Sequence, residues 1–182
     1  TEFAIKKELN LDVPFTSQAP DANWDAVHEE ACEEASLLMA DRHLASRVIT
    51  GKSDAEEGIQ TVISWERKKL GFFESTNAQE TARVAREMLG LTAQVIENPT
   101  VEEIKIALNK NKLILIPSAG RELGNPFYKS PGPLYHMLVI KGYTETKFIT
   151  NDPGTKNGAD YPYDYDRILD ANHDWNNGDV IE

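Results

Sequence analysis

A chain of 182 residues has room for one globular domain with a proper core, and a single domain over residues 1–182 is expected. Its net charge of −11 argues against a nucleic-acid or anionic-membrane surface, because both select for Lys/Arg patches. With 40% hydrophobic and 27% charged residues it belongs with globular chains, not disordered ones, and its single cysteine excludes both an internal disulfide framework and a thiolate-cage zinc site.

The predicted elements change character near residue 111. Residues 9–15 read as an extended lead-in, ended by Pro14 and the polar turn that follows. A first helix is expected over residues 29–44, with Cys32, Ala35, Ser36 and Met39 along one stripe. A second, over residues 54–70, places Ile59, Val62, Ile63 and Leu70 on one side. Asn77 and Glu80, and again Thr100 and Glu103, stand three apart as capping boxes, so they open a third and a fourth helix. Three strands follow. Residues 112–117 are apolar on both faces and read as central. Residues 135–142 and 147–151 are joined by a connection short enough for an antiparallel hairpin. Between the first strand and this pair runs a long Gly/Pro-containing loop, 118–134, of a length more often functional than filler. The tail alternates Tyr and Asp over residues 161–166, and a short helix and a strand at Val180 and Ile181 are expected to close the chain. The fold class is therefore α+β, a helical N-terminal part against a C-terminal antiparallel sheet.

Cys32 is the residue from which chemistry would start. In the first turn of its helix it meets free N–H groups and the positive dipole end, which favour a thiolate. Glu29, Glu30, Glu33 and Glu34 act the other way, and without a histidine partner the residue reads as a small buried hydrophobe. Of four histidines, His28 forms a zinc-like His-Glu-Glu-Ala-Cys pattern with no third ligand in view, His43 reads as solvated, and His173 has nothing around it that points to chemistry. His136 opens an apolar strand directly after the long loop, where a rigid scaffold can hold a catalytic base. The next strand ends in Asn151-Asp152, and strand alternation lets only one of the two face His136. Asp152 is the choice here, because a carboxylate stabilises an imidazolium more strongly than an amide does, and Pro153-Gly154 gives it a rigid mount. Upstream, Gln18 could donate to the oxyanion of a tetrahedral intermediate. The acidic residues from Asp152 to Asp166 lack the spacing of a calcium loop, and the tyrosines at 161, 163 and 165 read as edge packing.

The order Gln, then Cys at a helix start, then His at a strand start, then Asp at the next strand end resembles that of papain-like cysteine peptidases. Nearly the whole chain is similar to the group related to the bacteriocin-leader (double-glycine) processing peptidases. The stretches LDVPFTSQAP, EACEEASLLMA, HMLVIKGY and NDPGTKNGADYPYDYDRIL carry that resemblance, together with Trp24. It implies a papain-like fold and a thiol-dependent hydrolysis of peptide bonds, with Cys32 as nucleophile, His136 as base, Asp152 as orienting acid and Gln18 as oxyanion donor. It also implies a peptide or protein substrate, and no metal or organic cofactor. Two features depart from the leader peptidases: Glu33-Glu34 stands where glycine follows the cysteine, and Gln18 lies 14 positions before Cys32, a longer spacing. Double-glycine specificity is therefore not implied. A catalytically silent module binding peptide or cell-wall polymer, and an acyltransferase using the same thiol, are the alternative readings. The chain opens on Thr1 without a signal-type apolar segment, and the group's habits favour an exported or surface-anchored bacterial protein over a cytoplasmic one.

Overall fold

A computed structural model describes residues 4–181. The helices are α1 (Cys32–Leu44), α2 (Lys52–Lys69), α3 (Ala78–Glu87), α4 (Val101–Asn109) and α5 (Tyr165–Ala171). The strands are β1 (Leu9–Asn10), β2 (Ile114–Ala119), β3 (Tyr135–Tyr143), β4 (Lys147–Asn151), β5 (Tyr161–Asp164), β6 (Asp174–Asn176) and β7 (Asp179–Ile181). Strands β1 to β5 form one antiparallel sheet and β6–β7 a small hairpin, so the α+β expectation holds.

Strand β3 is the axis of the molecule. It pairs with β2 and β1 on one side and with β4 on the other, and all nine of its residues are buried. Alternation along it feeds two cores. Leu138 and Ile140 pack with Ile104 and Leu108 of α4 and Ile168 of α5, while Val139 packs with Met39 of α1 and Val13. Helix α1 is in turn buried on every side from Cys32 to Ala40, because Leu38 meets Ile59 and Ile63 of α2 while Leu37 meets Val62 of α2 and Val84 of α3. The cysteine therefore opens a helix fixed between the sheet and two other helices.

Two expectations change. The apolar segment read as central is an edge strand, pairing within the sheet with β3 alone. It is apolar on both faces because Ile114 and Ile116 join the α4–α5 core while Leu115 joins the α1 side. Its open edge is partly closed by Asn172, which bridges to Ser118 and donates to Pro117 O at 2.9 Å. The first helix does not run unbroken from Glu29: a single 3-10 turn, His28–Glu30, is separated from α1 by Ala31 at φ −100°, ψ 27°.

Both capping boxes form as read. The Asn77 side chain accepts from Glu80 N at 2.8 Å and Glu80 Oε2 accepts from Asn77 N at 2.8 Å, and Thr100 and Glu103 exchange the same pair of bonds. Replacing Asn77 by Ala leaves the Glu80 N–H of α3 without its acceptor, while the bond from the backbone N–H of residue 77 to Glu80 remains. The expected loss is about 1 kcal/mol of unfolding free energy, read as a lower urea midpoint at unchanged slope.

Candidate active site

His136, the second residue of β3, is 1% exposed and its Nε2 lies 2.7 Å from Asp152 Oδ1. Asp152 directly follows the last residue of β4. Asn151 faces elsewhere: its amide donates to Val13 O at 3.1 Å and its Oδ1 accepts from Asp160 N at 3.2 Å. The carboxylate of Asp152 is 0% exposed and saturated with donors. Oδ1 also accepts from Gly154 N at 2.9 Å, and Oδ2 accepts from Tyr128 Oη at 2.6 Å, Tyr163 Oη at 2.7 Å and Asn125 Nδ2 at 3.4 Å. Burial alone would raise its pKa, but His136 and the two phenols outweigh it and hold the carboxyl below the ordinary 3.8, so the group is ionised. Burial and the charge on Asp152 push both phenols up, keeping them donors.

Two glycines make this packing possible. A Cβ on Gly154 would come within 2.9 Å of the His136 ring, and one on Gly158 within 1.7 Å of Asp152 O. Gly158 O in turn accepts from Asp152 N at 2.9 Å, so this turn fixes the backbone from which the carboxylate projects.

Cys32 is the first residue of α1, so its N–H lies outside the intrahelical ladder. The reason the helix starts here is Gln18. Its Nε2 donates to His28 O at 2.8 Å and to Glu29 O at 3.1 Å, the carbonyls that would otherwise accept from residues 32 and 33 in a continuous helix. Gln18 is itself buried, and its Oε1 has no partner among the described residues. The Cys32 sulfur takes a hydrogen bond from the backbone of Met137, the residue next to His136, and donates to Glu33 Oε2 at 3.0 Å. No hydrogen bond joins it to the His136 ring. Burial first, then Glu33 and Glu34, push the thiol well above its ordinary pKa, against the smaller pull of the Met137 N–H. In this state Cys32 is a neutral thiol.

The glutamates beside it are interior groups. Glu33, Glu34 and, from α2, Glu66 are each 1% exposed or less. Among the described residues, Glu33 Oε1 and all four oxygens of Glu34 and Glu66 meet no donor. Burial raises the Glu33 carboxyl to about 8 and that of Glu66 to about 7, and burial with Glu33 and Glu66 raises Glu34 well above 4.5. What reads in sequence as a charged collar is a set of buried acids that hold their protons near neutrality.

The remaining candidates separate from this site. His28 lies outside α1, bonded through Nδ1 to Asp25 at 2.7 Å and through Nε2 to Glu56 at 2.9 Å; burial lowers its pKa but these two carboxylates outweigh it, so it is raised. It is a charged clamp between the 3-10 turn and α2, not a partner of Cys32. His43 bonds Asp12 O and Asn111, and His173 bonds Asp170 O. Among the described residues no group of three His, Cys, Asp or Glu is arranged to hold a metal. Asn125, Tyr128 and Tyr163 escaped the sequence reading. The length of the loop 118–134 pointed to its importance, but nothing in it marked Asn125 and Tyr128, and Tyr163 read as edge packing because its partner lies just past the end of the neighbouring strand.

A cysteine opening a buried helix beside a sheet that carries a buried His–Asp pair is the arrangement of a cysteine peptidase. The chain belongs to the family described as "Peptidase_C39 like family", whose model matches residues 10–178. No curated protein and no solved structure matches it.

Two outcomes follow from this geometry. Gly158→Ala should lower stability by more than 2 kcal/mol, roughly, since its Cβ meets backbone that cannot yield, and it should displace Asp152; thermal unfolding and the His136 imidazole NMR signals read both effects. Raised carboxyl pKa values mean that the folded state binds more protons than the unfolded one. The stability contributed by Glu33, Glu34 and Glu66 is thus complete below about 4.5 and is lost as pH rises toward 8. Urea midpoints should fall over that range in the wild type and fall less in Glu66→Gln; equal slopes would contradict protonated acids.

Proposed function

We propose that this chain hydrolyses peptide bonds as one papain-like domain over residues 1–182, through Cys32, His136 and Asp152. The observation that carries the reading is the His136–Asp152 bond. It commits Nε2 to the carboxylate and leaves Nδ1 as the ring nitrogen for a thiol, on the strand whose next residue already touches the Cys32 sulfur. The sulfur turns from Glu33 to Nδ1, His136 takes its proton, and Asp152 stabilises the imidazolium. The thiolate attacks the peptide carbonyl, and the imidazolium then protonates the leaving amine. Water, with His136 as base, releases the acyl group.

The oxyanion is served by the Cys32 N–H and by Gln18. The shorter Gln18 bond, to His28 O, keeps the helix cut. The longer one, to Glu29 O, is the one that a charged oxygen displaces. Kinship with the leader-processing peptidases is part of the proposal, but cleavage after double glycine is not, because Glu33 occupies the position next to the nucleophile. A peptide or protein is the substrate. A second reading, a silent module that binds peptide or cell-wall polymer, draws on the Cys32–Glu33 bond, which holds the thiol neutral.

Turnover of a fluorogenic peptide library separates the two. Cys32→Ala should abolish hydrolysis while changing stability by no more than about 1–2 kcal/mol. Asp152→Asn should lower kcat by on the order of 10²- to 10⁴-fold with little change in KM, and Asn151→Ala, compared at matched stability, by far less. Hydrolysis that survives in Cys32→Ala removes the enzyme reading.

A further inference from the structure

The three buried glutamates are unused by the mechanism above, yet one of them touches the nucleophile. Glu33 Oε2 is 3.0 Å from Cys32 Sγ, and its other oxygen meets no donor. Glu34, next in α1, and Glu66, from α2, lie within interaction distance of each other, and the described residues offer no donor to either. Two carboxylates facing each other in that setting repel; only a proton held between them turns the contact into a hydrogen bond. The packing is therefore built for carboxylic acids, and isosteric Gln would serve it structurally. The titratable groups that bear on the trio from each packed element are Glu30 of the 3-10 turn before α1, Glu74 from the segment after α2, Glu80 of α3 and Tyr135 of β3, with Asp174 of β6 acting on Tyr135. None of these is a cation.

We infer that Glu33 is a further catalytic residue, a neutral acid that donates its O–H to the Cys32 sulfur once His136 has taken the thiol proton, and that Glu34 and Glu66 make this a pH gate on the enzyme. The inference deepens the peptidase reading and rests on its Cys32–His136 pairing. In the step itself the S–H bond breaks and an N–H bond forms on His136 Nδ1. The Glu33 O–H stays intact and changes only from spectator to donor, so no other reactant is needed. When the cluster ionises, Glu33 has no hydrogen to give and negative charge surrounds the sulfur, so the proton stays on the thiol and the site shuts. The rise of the Glu33 carboxyl to about 8 and of Glu66 to about 7 puts that closure on the alkaline side of neutrality.

The test is the rate of Cys32 alkylation by iodoacetamide between pH 5.5 and 8.5, which needs no substrate. One buried like charge beside the thiol is taken to cost about a factor of ten in reactive thiolate. Glu66→Gln should match the wild type within twofold at pH 5.5 and exceed it about tenfold at pH 8.5, and Glu34→Gln, a second variant should the first fold poorly, should do the same. Glu33→Gln keeps an N–H donor, weaker than the acid's O–H, and should lose clearly less reactivity at pH 5.5 than Glu33→Ala, which should lose about tenfold there. Ratios that do not change with pH in both the Glu66 and Glu34 variants overturn the gate, and Glu33→Gln behaving like Glu33→Ala overturns the donor role. His136→Ala separates the two levels. If it alkylates like the wild type at pH 5.5, the Cys32–His136 pairing is wrong and the gate falls with it. If it is unreactive while both Gln variants track the wild type, only the gate is wrong.

Discussion

The burial of one ionised carboxylate, Asp152, is the constraint on which the site half of this structure depends. A lone buried charge costs several kcal/mol, and this one is kept by five donors drawn from β3, the loop before it, β5 and its own turn. Each of those segments is thereby tied to the others. The segment 120–134 between β2 and β3 is held down through Asn125 and Tyr128, β5 is registered through Tyr163, and the His136 ring is held by the bond it makes. The same carboxylate that would tune a catalytic base also closes the fold around it.

Beside Cys32 a second set of buried carboxyls is handled in the opposite way. Among the described residues Glu33, Glu34 and Glu66 meet no cation and almost no donors, so burial drives them toward the neutral form. Asp152 and Glu34 are equally buried, yet one is held ionised and the other protonated. The difference lies entirely in what surrounds them. A phenol-and-imidazole shell stabilises charge, while a shell of other acids forbids it. Cys32 stands between these two regimes, with Met137 N–H pulling toward thiolate and Glu33 toward thiol.

Gln18 links the halves. By occupying the carbonyls of His28 and Glu29 it ends one helical turn and lets another begin at Cys32. The charged clamp of His28 on Asp25 and Glu56 steadies that same turn against α2. The helix start that gives the cysteine its free N–H thus comes from a residue fourteen positions away, not from a local cap, which α1 lacks.

The sequence by itself determined the α+β class, both capping boxes, the β3–β4 hairpin and the order of Gln18, Cys32, His136 and Asp152, because helical periodicity, caps and strand alternation are written in neighbouring residues. It also marked Asp152 over Asn151 through the chemistry of a carboxylate, although alternation alone could not, since a slip of one residue reverses the faces. Tertiary structure alone decided the rest. The edge position of β2 depends on which strand pairs beyond it. The break before Cys32 depends on a side chain from another segment. Tyr128, Tyr163 and Asn125 converge on Asp152 from 11 to 27 residues away. Whether Glu33 and Glu34 carry charge depends on what covers them, since a carboxyl's ionisation follows its solvation and partners, and no local pattern records those.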